Sequence, residues 1–210
     1  MIWESGPWKD QLLADAALLE RWAAKGKMTE RRSLLIERKV FLAAYAIRKL
    51  HEAQKLSTSF GHWSFRCRTY PAVSDRITFS NNHKLDELYD FDTPEEKVIA
   101  ARHLIDLIIH SFAFAEFLRD DMTVEGFLVT SDRRRYDRLW FVEMLAYVRL
   151  MRNVGNDYPP GTTGVFNRDR NDWEMWQGYG DPPVEFQRRM KKILCDQWGA
   201  RRADRDDEDV

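Results

Sequence analysis

The chain predicts an α+β fold, in which helix outweighs strand and a small, mainly antiparallel sheet carries the helices. Three observations support this. Two early segments repeat apolar residues at helical spacing, "HWSFRCRTY" (62–70) alternates apolar and polar residues, and "VEGFLVTSD" (124–132) is followed by a turn-like stretch and a second apolar run. The expected body is one globular domain over 1–198 with a disordered, charged tail at 199–210, where "RRADRDDEDV" is nearly all charge.

The N-terminal helical hairpin comes first. Residues 7–25 place Pro7 at the first helical position, repeat Trp8, Leu12, Ala16 and Leu19, and stop at Gly26. Thr29 caps a second helix through Ile36, Val40, Ala44, Ile47 and Leu50 to about Lys55, with Glu37, Arg38, Arg48 and Lys49 left to solvent. The period then changes to two, with Trp63, Phe65 and Cys67 inward and Arg66 and Arg68 on the wet face. "DRITF" (75–79) repeats the alternation, with Ile77 and Phe79 inward and Arg76 outward.

"DTPEEK" reads as the start of a long central helix, with Thr93 as N-cap, Pro94 in the first turn and carboxylates at Glu95 and Glu96; the apolar run continues to about Leu118. After it, 124–132 is a strand, "SDRRRYD" a connection, and 137–144 its hairpin partner, passing into a helix that ends near Gly155, although Leu139, Val142, Ala146 and Leu150 also suit a helix and leave strand or helix open over 138–150. From Tyr158 to Pro183 the many glycines and prolines predict an ordered loop packed by Phe166, Trp173, Trp176 and Tyr179. A last helix, capped by Asp181, covers about 183–198, with Met190, Ile193, Leu194 and Trp198 on its apolar face.

The composition narrows function mainly by exclusion. A hydrophobic content of 44% with eight Trp and twelve Phe argues for a packed core, and a net charge of −1 supplies no overall field for a polyanion. Nucleic-acid binding would therefore rest on a local patch. Cys67 and Cys195 form neither a CxxC pair nor a disulfide framework, which fits a reducing, cytoplasmic location. The longest apolar run, Val98 to Leu118, is broken by charged residues and does not suit a membrane span. Glycine-rich phosphate loops, GxSxG, HExxH and zinc-ligand spacings do not occur, so neither a cofactor nor a metal is expected.

Two constellations remain. His103, Asp106 and His110 share one stripe of the expected central helix, with His110 where its polar face turns apolar. His103 and His110 are seven residues apart, about 10 Å along a helix, too far to ligate one ion. The second is "TSDRRRYDR" (130–138), whose Arg133, Arg134 and Arg135 join Arg66, Arg68 and Arg76 as candidates for a basic sheet face. Asp169, Asp172 and Glu174 match no calcium-loop spacing. A helical ribonuclease pattern, with arginine five to seven positions before histidine on one helix, is not met: Arg48 is too close to His51, and Arg102 too far from His110.

The leading expectation is a binding or regulatory module without a complete catalytic set, contacting a protein or an anionic partner such as nucleic acid through the arginine-rich face. The rival expectation is a nuclease-like hydrolase in which His110 is the base, Asp106 orients it, and Arg133 to Arg135 stabilise the anion.

Overall fold

The structure, a computed structural model, describes the backbone of residues 2–208 and the side chains of residues 2–197. It has the α+β architecture. The element order is α1 (Gly6–Ala24), α2 (Glu30–Glu52), β1 (Ser64–Pro71), α3 (Leu85–Leu88), β2 (Glu95–Ala100), α4 (Ala101–Ile109), β3 (Ser111–Leu118), β4 (Val124–Ser131), β5 (Arg138–Glu143), α5 (Met144–Gly155), β6 (Gly161–Asn167), β7 (Asp172–Gly178) and α6 (Val184–Glu208). The chain divides into two compact units. One comprises the segments up to Lys55 and Phe60–Asp157; the other comprises Leu56–Ser59 and the chain from Tyr158 onward.

The first unit is built on a five-stranded antiparallel sheet in the order β2-β1-β5-β4-β3. One face receives the helices: Phe114 and Phe127 stack on each other, Phe41 of α2 lies against Phe114, and Tyr147 of α5 meets Phe127 edge to face. The opposite face carries Tyr70, Leu128, Leu139 and Phe141, and the segment between β1 and β2 covers it with Ile77, Leu85, Leu88 and Tyr89. A bulge helps to seal that face. Ser111 pairs with Ser131 and Ala113 with Thr130, so Phe112 is the extra residue, and its ring joins the same cluster as Ala113.

The two N-terminal helices and α5 follow their sequence signals closely. The Thr29 hydroxyl caps α2 by accepting from the Arg32 backbone N–H, and Gly26 takes the positive φ of 93° that turns the chain between α1 and α2. α1 packs chiefly on α5, at a close approach where a Cβ on Gly155 would meet the Leu13 side chain at 2.6 Å. Lys9 of α1 is only 1% exposed, and its ammonium donates to the Lys55 carbonyl at 2.9 Å and to the Asp157 carbonyl. Burial lowers its pKa from the ordinary lysine value. The fully buried Tyr147 hydroxyl donates to the Val40 carbonyl at 2.8 Å and fastens α5 to α2.

The largest departure from expectation is the central segment, which is strand, helix and strand rather than one long helix. The Thr93 hydroxyl donates to Asp90 Oδ2 at 2.6 Å, and the backbone N–H groups of Asp92 and Thr93 donate to Asp90 Oδ1. The supposed helix cap is therefore part of an Asx turn. Glu95–Ala100 then extends along β1, and α4 keeps nine residues. "SFAFAEFL" is apolar at nearly every position because it becomes a strand with apolar contacts on both sheet faces, a pattern that periodicity cannot separate from a buried helix.

"DRITF" is likewise not a strand. The Asn81 side chain accepts from the Thr78 N–H and donates to the Arg76 carbonyl, so local side-chain bonds satisfy this backbone; Ile77 is buried, but Phe79 is 82% exposed. By contrast, β1, β4, β5 and α5 lie within a residue or two of their expected places.

In the second unit, the expected loop is a β6–β7 hairpin. Phe166 and Trp173 are direct cross-strand partners with rings meeting edge to face at 5.7 Å, and Asn171 takes a positive φ of 50° in the turn. Trp176 is buried, whereas Trp173 and Tyr179 are exposed. The acid-rich stretch is used for local bonding: Glu174 pairs with Arg189 at 2.9 Å, and Asp172 accepts from the Trp173 N–H. α6 begins at Val184, and Gln197 on it donates to the Phe166 carbonyl. The backbone of α6 is helical to Glu208, past the end expected near 198 and into the stretch expected as a disordered charged tail; the side chains from Trp198 onward fall outside the described residues.

Candidate anion-binding site

The first unit gathers arginine and histidine side chains from three sequence-distant segments around one cleft. A cavity of about 590 Å³ is lined by Arg48 of α2, by His103, Asp106, Leu107 and His110 on and just after α4, and by Ser131 to Arg134 at the β4–β5 turn. A smaller cavity of about 280 Å³ shares Arg48 and Asp106 with it and adds His51, Glu52, Phe60, Arg102 and Ile105.

The turn that brings in Arg133 and Arg134 is firmly held. Tyr89, whose hydroxyl pKa burial pushes up to about 12, donates to the Arg135 carbonyl at 2.9 Å, and the Tyr136 hydroxyl donates to the Ile77 carbonyl at 3.1 Å. Arg135 pairs with Asp132 at 2.8 Å and lies over the Phe112 ring, 4.4 Å from its centroid, and over Tyr136. Arg135 is thus part of the scaffold. Its neighbours Arg133 and Arg134 are exposed and make no side-chain hydrogen bond or ion pair among the described residues.

α2 contributes Arg48, His51 and Glu52 on one face because positions three and four apart align on a helix. Arg48 donates to Glu52 at 2.8 Å, lies 3.7 Å from Asp106, and points Nη1 at His110 Nε2 at 3.3 Å. A guanidinium only donates, so this His110 nitrogen accepts. His51 lies tilted against Phe60, and its pKa is lowered from the ordinary histidine value, first by burial and then by the nearby Arg102. The shared Glu52 carboxylate is held down to about 2 by hydrogen bonds from Lys49 and Arg48.

His110 itself is exposed and forms the C-cap of α4, not a point where a helix enters the core. The strand β3 that starts beside it carries the apolar residues in its place. Asp106 contributes its backbone carbonyl to the His110 N–H at 3.0 Å, but the side-chain partner of the imidazole is Arg48. Thus Asp106 and His110 share a cleft without forming the carboxylate–imidazole pair that the sequence suggested.

The arginines expected to form one sheet-face patch are distributed. Arg66 and Arg68 line a different cavity of about 600 Å³ with Arg119 and Arg149, in the company of Glu96, Glu125 and Glu143. Arg68 pairs with Glu125 at 3.3 Å and lies over the Phe141 ring. Arg76 is exposed in the turn-rich segment after β1. Only Arg133 and Arg134 of the six line the cleft containing His110.

Arg48, His51 and Arg102 were not expected as site residues. The signal was an arginine, histidine and glutamate on one helical face, which also describes an ordinary solvated helix. Among the described residues no group of three or more His, Cys, Asp or Glu side chains is placed to hold a metal ion. The Cys67 thiol is buried and pushed up to about 12, which makes it a poor nucleophile. No helix among the described residues is long and apolar enough to cross a membrane. Compared with known families, with curated proteins and with solved structures, the chain matches none.

Proposed function

We propose that this protein is a binding module for a phosphate-bearing partner, with nucleic acid as the leading candidate, and that Arg48, Arg133 and Arg134 form the contact. The observation that carries this reading is the convergence of two unpaired arginines on a cleft already holding Arg48, His103 and His110, from segments far apart in sequence. Planar guanidinium groups recognise phosphate oxygens in pairs, and unpaired cations need not first surrender a carboxylate. The α4 C-terminus beside His110 adds about half a negative charge, so the attraction rests on the guanidinium groups rather than on the backbone.

The hydrolytic reading is less well supported. A general base needs a ring nitrogen free to reach the substrate proton and a partner that orients the ring. Here Arg48 Nη1 already points at His110 Nε2, so that nitrogen is not free to reach a substrate proton.

Fluorescence anisotropy with short single-stranded RNA and DNA, measured across a salt series, tests the proposal. Binding should weaken steeply with salt, and changing Arg133 and Arg134 together to Ala should weaken it and flatten the slope by about two in log–log form. Absence of binding at low salt overturns the reading.

A further inference from the structure

We infer that the cleft takes a phosphomonoester of a nucleoside, whether a free nucleotide or the phosphorylated end of a strand, in preference to the internal phosphodiesters of a chain. The inference rests on the anion-site reading above and asks which phosphate the site fits.

The arrangement of cations is compact. Arg48, Arg133 and Arg134 line one cavity with two histidines and the carboxylates Asp106 and Asp132, whereas Arg66, Arg68, Arg119 and Arg149 line another with three glutamates and Arg135 is engaged by Asp132. The candidate arginines therefore make a focus, not a track. A strand bound along its length gains from successive phosphates and from bases stacked on aromatic rings. Leu107 is the one apolar side chain lining this cleft, and the rings there are the small imidazoles of His103 and His110, the second engaged by Arg48. Binding then comes from charge at a single point, where a doubly charged terminal phosphate gains more than a singly charged diester does from the unpaired Arg133 and Arg134 and from Arg48, which it would share with Glu52.

The carboxylates point to the rest of the ligand. Asp106 lines both cavities, Glu52 lines the smaller one and Asp132, paired with Arg135, lines the larger; the first two would repel a ligand that was anionic throughout. A ligand that places hydroxyl or amino donors there turns the repulsion into hydrogen bonds. A nucleoside phosphate does this: its phosphate faces Arg48, Arg133 and Arg134, while its sugar hydroxyls or base donors face Asp106 and Glu52.

The test compares 5′-phosphorylated and 5′-hydroxyl forms of one short RNA by anisotropy, with adenosine monophosphate and inorganic phosphate as competitors. The phosphorylated strand should bind at least about tenfold tighter, a difference that should vanish in the variant carrying both Arg133→Ala and Arg134→Ala. Competition by adenosine monophosphate at concentrations where inorganic phosphate has no effect assigns the site to free nucleotides as well as ends. Competition by the phosphorylated strand alone assigns it to ends. Equal, salt-sensitive binding of both strands overturns this inference and leaves the anion-site reading standing, whereas absence of binding by every probe overturns both.

Discussion

At the scale of single residues, His51 shows how an unremarkable position in the sequence acquires an environment. It faces Arg48 and Glu52 on its own helix and Arg102 and Asp106 on α4, and it lies against Phe60. Because its folded pKa lies below the ordinary 6.5, the unfolded chain binds a proton in the window beneath that value while the folded chain does not. Acidification through this window therefore removes stability, and the loss levels off below the folded value. Thermal unfolding of the native chain and of His51→Gln, followed from near neutral to about pH 5, should show a steeper acid-side loss for the native chain. Parallel curves would mean that the imidazole titrates alike in both states. Arg48 could be read from the sequence only as a solvent-facing helix residue; its contact with His110 spans 62 positions.

At the scale of elements, β4 and β5 illustrate a tight fit that the residue types alone do not reveal. A Cβ on Gly126 would overlap the Val142 carbonyl and approach Phe141 Cε2 at 2.8 Å, and the same Phe141 ring meets Phe117 edge to face and lies beneath Arg68. Gly126→Ala should destabilise the protein by about 1–3 kcal/mol in chemical denaturation, as expected for overpacking. A change below about 0.5 kcal/mol would show that the strand shifts freely at this point. Expectations for elements succeeded where two local signals agreed. Thr29 with the following apolar spacing marked α2, and the "SDRRRYD" connection between two apolar runs marked β4 and β5. They failed at Thr93 and Pro94, where one local signal had two structural uses and Asp90 selected the turn.

At the scale of the whole molecule, the sheet order of the first unit ranks its strands. β5 lies in the middle and is buried over Leu139 to Val142, whereas β2 is an edge strand with Glu95 to Val98 exposed. Hydrogen exchange should therefore release β2 amides early and β5 amides last, since central strands open only with the larger cooperative unit. Similar protection in the two strands would indicate that β2 is covered in solution. The same order brings the site together: the β4–β5 turn lies at one end of central strands, and α4 passes directly into edge strand β3, which pairs with β4 through Ser111 and Ser131. Residues 110 and 131–134 thereby become neighbours.

The sequence by itself determined the α+β class, the first two helices, β1 and β4, because caps, glycine stops and alternation act over a few residues and their tertiary surroundings agreed with them; strand against helix over 138–150 was decided by the pairing of β5 with β4. Tertiary structure decided the path of 95–118, where apolar residues serve both sheet faces and helical spacing loses its meaning. It also decided the hairpin at 161–178, where cross-strand ring pairing organises a stretch rich in glycine. The cleft belongs wholly to this second category. His110, Arg133 and Arg134 were visible as separate candidates, but their meeting with Arg48 depends on strand pairing and helix packing, which no local pattern encodes.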